Sequence, residues 1–376
     1  MNRKTKMIIL IVLAAVLVAA LIFLGISALK KDAPEPTEAA PTAAPTEAPT
    51  QAPTEAPTEA PTEAPTEPAE LRNPFNGEIV EEVSELRPYA ASINNVKAAM
   101  PQHGIGQADI VYEMLVEGGA TRCLAVFSDI SDVEKLGSIR SARIYTVSLV
   151  QSCDAILVRC GGSSEADAAI KDLDWTEIDG QKGYNVNPFY RDQERKAAGY
   201  ALEHTMFTSG EELLANANDR GLRLTHEGGI DYGLNFAEEA VPDGESANSI
   251  KLYFGSSTKN KSTTMTYDAE SGKYLASQYS ADWIDNNTGD TLAYENVLVL
   301  YAKTWTQEDG VHKSIQLVGE GTGLYANGGR IVPIKWSRGA DTEPFIYTLE
   351  DGTPLTIGVG KSYIGIVPLD AAVSWE

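Results

Sequence analysis

From Pro41 to Pro65 proline recurs at every fourth position, within a repeat close to Thr-Glu-Ala-Pro that fills Asp32 to Glu70. Proline lacks the N–H that helix and sheet both use, and Ala, Thr and Glu supply no apolar cluster, so nothing here can build a core. Residues 32–72 therefore read as a solvated acidic spacer. At about 3.1 Å per residue in an extended polyproline conformation it would reach on the order of 100 Å. The threonines are possible O-glycan sites, but a bare tether is the simpler reading. Any fold must come from the residues after it.

What precedes the spacer explains why one is needed. Met7 to Leu29 is uncharged and almost wholly Ile, Leu, Val and Ala, long enough to span a bilayer as a helix. Arg3, Lys4 and Lys6 stand before it, so the positive-inside rule keeps the N-terminus in the cytoplasm and places residues 30–376 outside the cell. Residues 1–31 are thus expected to be a basic tip and an uncleaved signal-anchor transmembrane helix. Cleavage is the alternative, although a signal-peptide core is normally about 7–15 residues and Gly25-Ile26-Ser27 is a poor cleavage site. No cysteine follows the run closely, which leaves a lipid-attached N-terminus unsupported.

The net charge of the chain is -23. Setting aside the 5 basic and 9 acidic residues of the first 70 leaves 25 Lys and Arg against 44 Asp and Glu in residues 71–376. A nucleic-acid or anionic-lipid binder would show a basic face, so neither partner is expected for this part. Cys153 and Cys160 bracket the strand-like DAILVR, whose extended length keeps them roughly 20 Å apart, and Cys123 could meet Cys160 only across neighbouring strands. Buried free thiols are the expectation. His103, His204, His226 and His312 show no ligand spacing, and no metal or other cofactor is expected.

Between residues 73 and 215 short apolar runs alternate with helical stretches. RPYAASINNV, ADIVYEML, TRCLAVF and DAILVRC predict strands; SARIYTVSLVQS, SEADAAIKDL and GEELLANAND predict helices. Runs such as LAVF and AILV lack alternation, as strands covered on both faces do, so an α/β domain of two or three layers is expected. Residues 216–248 are polar and read as a connection. From 249 to 376 the pattern alternates apolar and polar residues, with turns at AESGK, YANGGR and LEDGTP, and predicts eight strands in an all-β barrel or sandwich.

Three motifs carry possible chemistry. In QADIVYEMLVEGGATR, counting by two or by four places Asp109, Glu113 and Glu117 on one face. In a strand, Glu113 and Glu117 would stand about 13 Å apart, against about 6 Å in a helix, so a paired-acid glycosidase is disfavoured if the strand reading holds. Plain structure, arginine pairing, ligand binding and catalysis by Glu113 or Glu117 all remain open. In RCGGSSEADAAI, Gly161, Gly162 and Ser163 could let a backbone approach an anion at a helix start. Ser164 with Asp167 fits a capping box that would use the same amides internally. No G-x-S-x-G elbow and no Walker lysine is present.

The third motif is GSIRSARIY, where Ser141 is expected to begin a helix with Arg140 before its first turn and Arg143 inside it. A guanidinium is mildly unfavourable there with the helix dipole, so a partner is required. That partner is either protein carboxylate or an anionic or hydroxyl-rich ligand gripped by the planar donor fork. Further on, FYRDQERKAAGYALEH sets Arg191, Arg195 and Lys196 at helical spacing, with His204 in a polar loop.

The run RPYAASINNVKAAMPQHGIGQADIVYEMLVEGGATRCLAVFSD, then GSIRSARIY and RCGGSSEADAA, resembles the YerB-like lipoproteins of Gram-positive bacteria, a two-part domain of unknown function. The resemblance runs from about residue 73 to 368, more loosely after NNTGDTLAYENVLVLYAKT. It implies an envelope location and no particular reaction. Recurring polar positions of the family match Asn94, Asn95, Gln102, Gln107, Asp109, Glu113, Glu117, Thr121, Arg122, Arg140, Ser141, Arg143, Gly161, Gly162 and Ser163. Two departures stand out: a transmembrane helix and spacer replace the family's lipidated cysteine, and Arg159 stands near a position where the family often has histidine.

These readings converge on a membrane-anchored, extracytoplasmic binding protein that recognises a cell-wall component or a wall-synthesis partner. Its expected pocket is built from Arg140, Ser141, Arg143, Arg122, Glu113, Gly161, Gly162, Ser163, Asn94 and Asn95. An envelope hydrolase acting on glycan or peptide, and a scaffold docking another membrane protein, are the alternatives.

Overall fold

The structure, a computed structural model, describes residues 70–226 and 231–376. Glu67–Glu376 forms one compact unit. The expected membrane helix and nearly all of the spacer lie outside the described residues. Among the described residues no helix is long and apolar enough to cross a membrane.

An eleven-stranded mixed sheet runs through the unit. The first half supplies β1 (Tyr89–Asn95), β2 (Ile110–Leu115), β3 (Thr121–Phe127), β4 (Ile156–Arg159) and β5 (Glu177–Asp179). Three longer helices accompany them, α1 (Ile144–Ser152), α2 (Ser164–Asp172) and α3 (Gly210–Asp219), together with a five-residue helix at Gln193–Ala197. The second half contributes β6 (Ser249–Tyr253), β7 (Ser262–Asp268), β8 (Lys273–Gln278), β9 (Asn296–Ala302), β10 (Gly319–Asn327), β11 (Arg330–Arg338), β12 (Ser362–Pro368) and β13 (Val373–Trp375). Across the large sheet the order is Glu245–Ser246, β11, β10, β9, β12, β2, β3, β1, β4, β5, with Ile346–Leu349 beside β11.

The second half therefore does not close a barrel or sandwich of its own. Every residue of SYIGIVP in β12 is buried, so this strand needs a neighbour on each edge and a layer on each face. It lies parallel to both β2 and β9, joining the halves in one sheet. The alternating strands β6, β7 and β8, with β13 and two short partners, form a separate six-stranded sheet. Their buried alternate residues Ile250, Leu252, Met265, Tyr274 and Ala276 pack with Val111, Ala125, Tyr363 and other residues on one face of the large sheet. On the other face lie Tyr145, Val147, Leu149 and Val150 of α1, against Leu124, Val126, Leu298 and Ile364. The first-half strands read from sequence are all present.

Two local expectations are corrected. The helix expected from Ser141 starts at Ile144, with Arg143 as its extended N-cap residue. The Ala142 N–H donates to the Gly161 carbonyl and the Ala142 carbonyl accepts from Ser163 N, which commits this stretch to extended pairing before any helix can begin. The cap of α2 is Ser163, whose Oγ accepts from Ala166 N at 3.3 Å, not Ser164, which is the first helical residue.

Candidate functional site

Alternation along β2 and β3 decides which motif residues can meet. Met114 pairs with Arg122 and Glu113 with Cys123. Glu113 and Cys123 face the six-stranded sheet, whereas Arg122 faces α1. Glu113, Arg140, Arg143 and Ser163 therefore do not converge on one cavity.

Glu113 is fully buried and its two carboxylate oxygens serve five donors. Oε1 accepts from Asn95 Nδ2 at 2.9 Å, from Thr121 Oγ1 at 2.6 Å and from Lys261 Nζ. Oε2 accepts from Thr263 Oγ1 and Tyr363 OH, both at 2.7 Å. Glu117 lies past the end of β2 in a short 3-10 turn and receives Arg143 Nε at 3.1 Å together with Nη2. Burial pushes the Glu117 carboxyl up, but Arg143, its own backbone amide and Arg122 outweigh this and hold it at about 2. Asp109 is engaged by Asn76 Nδ2 and by the N–H and hydroxyl of Ser128. Three carboxylates expected on one face thus have three separate partner sets, and no acid pair is formed.

Arg143 also donates to the Ala142 carbonyl, and Arg122 donates through Nη1 to the Ser141 carbonyl at 2.6 Å. Burial, with Arg143 nearby, lowers the Arg122 guanidinium to about 10. Both side chains face inward and hold the extended GSIRSAR strap against β3.

The Gly-Gly-Ser turn is equally occupied. Gly161 N donates to Asp179 Oδ1 at 2.8 Å. Its φ of +74° calls for glycine, and a Cβ would stand 2.6 Å from the Gln181 amide and push that side chain aside. Gly162 leaves room for the Arg159–Asp167 pair. Arg159, near the position where a histidine is frequent in the resembling family, is buried among Asp167, Glu177 and Asp179.

Arg140 differs from these groups. It points into an open cavity of about 410 Å³ lined by Ile139, Arg140, Ser141, Cys160, Gln181, Arg191, Leu202, Glu203 and Met206. Its side chain is 25 % exposed, with Nη1 3.2 Å from the more exposed Glu203; its buried Nε, like that of Arg122, has no partner among the described residues. Arg191 donates to the Leu202 carbonyl at 2.6 Å. Two guanidinium groups against one carboxylate leave this cavity locally cationic in a chain of net charge -23. Ile139, Leu202 and Met206 give it an apolar side, and Gln181 adds an exposed amide.

His204 stands behind Glu203. Asn94 Nδ2 donates to its Nδ1 at 2.9 Å, which leaves Nε2, 3.6 Å from Glu203, to carry the proton. Burial lowers its pKa from 6.5 more than Glu203 raises it. Cys160 is half-buried, and burial raises its thiol more than Arg191 lowers it. Cys123, Cys153 and Cys160 are all free; β3 and β4 flank β1 on opposite sides, so Cys123 and Cys160 are not on neighbouring strands. Among the described residues no group of three or more His, Cys, Asp or Glu is arranged to hold a metal.

Of the residues expected to form a pocket, the cavity takes Arg140 and Ser141, with Asn94 reaching it only through His204 and Glu203. Arg143, Arg122, Glu113, Gly161, Gly162, Ser163 and Asn95 serve internal contacts. Gln181, Arg191 and Glu203 were not expected there. Arg191 was visible in sequence only as one cation of a presumed helical cluster, but the helix spans just Gln193–Ala197 and Arg191 precedes it on a two-residue strand. Arg195 of that cluster is buried and donates to the carbonyls of Ala99, Pro101 and His204.

Residues 75–223 match the family described as "Protein of unknown function (DUF3048) N-terminal domain", and residues 250–364 match the DUF3048 C-terminal domain. The chain is 31% identical over 307 residues to "Putative lipoprotein YerB" of Bacillus subtilis (strain 168), spanning 81% of this chain and 88% of that protein. The crystal structure of YerB protein from Bacillus subtilis is similar with a TM-score of 0.70 at 29% identity, over 81% of this chain and 99% of that one.

Proposed function

The chain belongs to the two-part DUF3048 family that includes YerB, and on that premise we propose that it is an extracytoplasmic binding protein of the cell envelope, tethered to the membrane. The ligand is an anionic, hydroxyl-rich fragment of the cell wall, bound in the cavity of Arg140 and Arg191. Residues 7–29 span the membrane, the N-terminus stays in the cytoplasm, and the Thr-Glu-Ala-Pro spacer carries the folded unit outward. That the curated relative is named as a lipoprotein supports attachment to the envelope, here by a different anchor.

One observation carries the reading: Arg140 faces an open cavity while Arg143 and Arg122 are consumed by Glu117 and backbone carbonyls. A volume of about 410 Å³ falls in the range of about 300–1,000 Å³ typical of small-ligand sites. Planar guanidinium forks grip carboxylate or phosphate oxygens, the Gln181 amide and the Ser141 hydroxyl can bond sugar hydroxyls, and Ile139, Leu202 and Met206 cover an apolar ring face. Glu203 gives direction: an anionic ligand displaces it from Arg140, and a neutral one has less reason to enter.

The test is co-sedimentation of residues 67–376 with purified wall, intact or stripped of its anionic polymers. Retention that falls with rising salt and with removal of anionic groups supports the reading. Equal retention by stripped wall, or wall polymer cleaved during incubation, overturns it.

A further inference from the structure

Glu113 stands at the centre of a buried polar network between the two sheets. Asn95, Gln102 and Glu113 are fully buried, and the Lys261 side chain is 4 % exposed. A primary amine, a carboxylate and a carboxamide meet at one oxygen: Lys261 Nζ and Asn95 Nδ2 both donate to Glu113 Oε1. The Asn95 carbonyl oxygen accepts from two amide groups, Gln278 Nε2 at 2.9 Å and Gln102 Nε2 at 3.2 Å. Gln102 is fixed in that orientation by Trp283 Nε1, which donates to its Oε1. The amine is enclosed by rings, its Nζ lying 5.0 Å from the centre of Phe254, 5.7 Å from Trp283 and 5.9 Å from Tyr279.

We propose that Lys261 and Asn95 condense spontaneously into an intramolecular isopeptide bond, with Glu113 as the acid–base group and ammonia as the leaving group. Each part of the network has a task in that reaction. Glu113 takes one proton from the Lys261 ammonium, whose charged form burial disfavours. The freed amine is a nucleophile whose lone pair forms the new bond to Asn95 Cγ. Negative charge then develops on Oδ1, where the Gln102 and Gln278 amides already point, as in an oxyanion hole. Glu113 passes its proton to Nδ2 and accepts the second proton from the attacking nitrogen. The Cγ–Nδ2 bond breaks and ammonia departs, leaving Glu113 with one proton and a neutral secondary amide. No oxidant or cofactor enters the balance.

The product keeps the contacts of the reactants. Its N–H faces Glu113 and its carbonyl stays with Gln102 and Gln278. Burial lowers the Lys261 ammonium more than Glu113 raises it, which favours the amine the reaction needs. The bond would join β1 of the first family domain to the residue preceding β7 of the second. That is a covalent staple in a chain whose three cysteines are free.

The test is mass spectrometry of the full chain after denaturation. The expected result is a chain lighter than its sequence by one ammonia, with tryptic peptide 73–97 joined to peptide 260–273. Glu113→Gln and Asn95→Ala should show no loss of ammonia and release peptide 73–97 on its own, with trypsin now cutting after Lys261 to give 262–273. Because the wild-type measurement is made on denatured chain, it stands even if a variant folds poorly. Free wild-type 73–97 in full yield would overturn the proposal, as would loss of water joining Lys261 to Glu113 instead.

Discussion

Glu113 and Arg122 stand one residue out of register on paired strands, yet they face opposite sides of the large sheet. Glu113 lies toward the six-stranded sheet with Lys261 and Thr263; Arg122 lies toward α1 with the Ser141 carbonyl. The polar motifs of the first domain therefore do two jobs, one holding the layers and one shaping the strap that presents Arg140.

Arg143 belongs to the strap and not to the ligand. Arg143→Ala leaves Glu117 with only the more distant Arg122 Nη2, 3.9 Å away, as an ion-pair partner. Breaking a well-buried pair costs about 3–5 kcal/mol, and the partial exposure of Glu117 reduces this to about 2 kcal/mol. Denaturant unfolding should show that loss, while the variant, where folded, still binds wall fragments through Arg140.

Acid should weaken the same pair with a defined sign. The folded-state pKa of Glu117 is about 2, below its ordinary 4.5, so the stabilisation is fully present above pH 4.5 and is lost as pH falls through about 2. Glu117→Gln should thus be less stable than wild type at neutral pH. The gap should narrow steadily between pH 4.5 and 2, and a gap independent of pH would contradict this pairing.

Cys160 reports on the cavity. It is half-buried, whereas Cys123 and Cys153 are buried. A small alkylating reagent on native protein should label Cys160 first, and slowly at neutral pH, because burial raises its thiol above 9.0. The rate should keep rising past pH 9, and a bound wall fragment should suppress it. Peptide mapping of the labelled site checks both.

Gly161→Ala should be costly although it adds one methyl group. The residue combines φ +74° with a Cβ position 2.6 Å from the Gln181 amide. A loss of about 1–2 kcal/mol is expected from the backbone conformation alone. Displacement of Gln181 should also weaken binding, whereas Gly118→Ala, open to solvent, should leave binding unchanged.

Local pattern carried the elements further than it carried their assembly. TRCLAVF announced a strand covered on both faces, SYIGIVP announced a strand but not its full burial, and GEELLANAND marks α3 residue for residue. The strand Gly319–Asn327 escaped notice because three glycines interrupt its pattern. That β12 lies against β2, from opposite ends of the chain, is a tertiary pairing no short window contains. The site followed the same division. Arg140 was legible as a cation out of place near a helix start, but its partner in the cavity, Arg191, sits on a two-residue strand that no periodicity announces. Lys261, two residues after Lys259 and just ahead of an ordinary strand, gave no sign of Glu113.

Calorimetric titration of residues 67–376 with an anionic muropeptide tests the binding account most directly. Wild type should bind saturably and more weakly at higher salt. Arg140→Ala with Arg191→Ala should lose at least about tenfold in affinity, as removal of charge-assisted hydrogen bonds worth about 1.5–3 kcal/mol requires, with an unchanged unfolding midpoint. Unchanged affinity in that double variant, or no binding by wild type, would contradict the account.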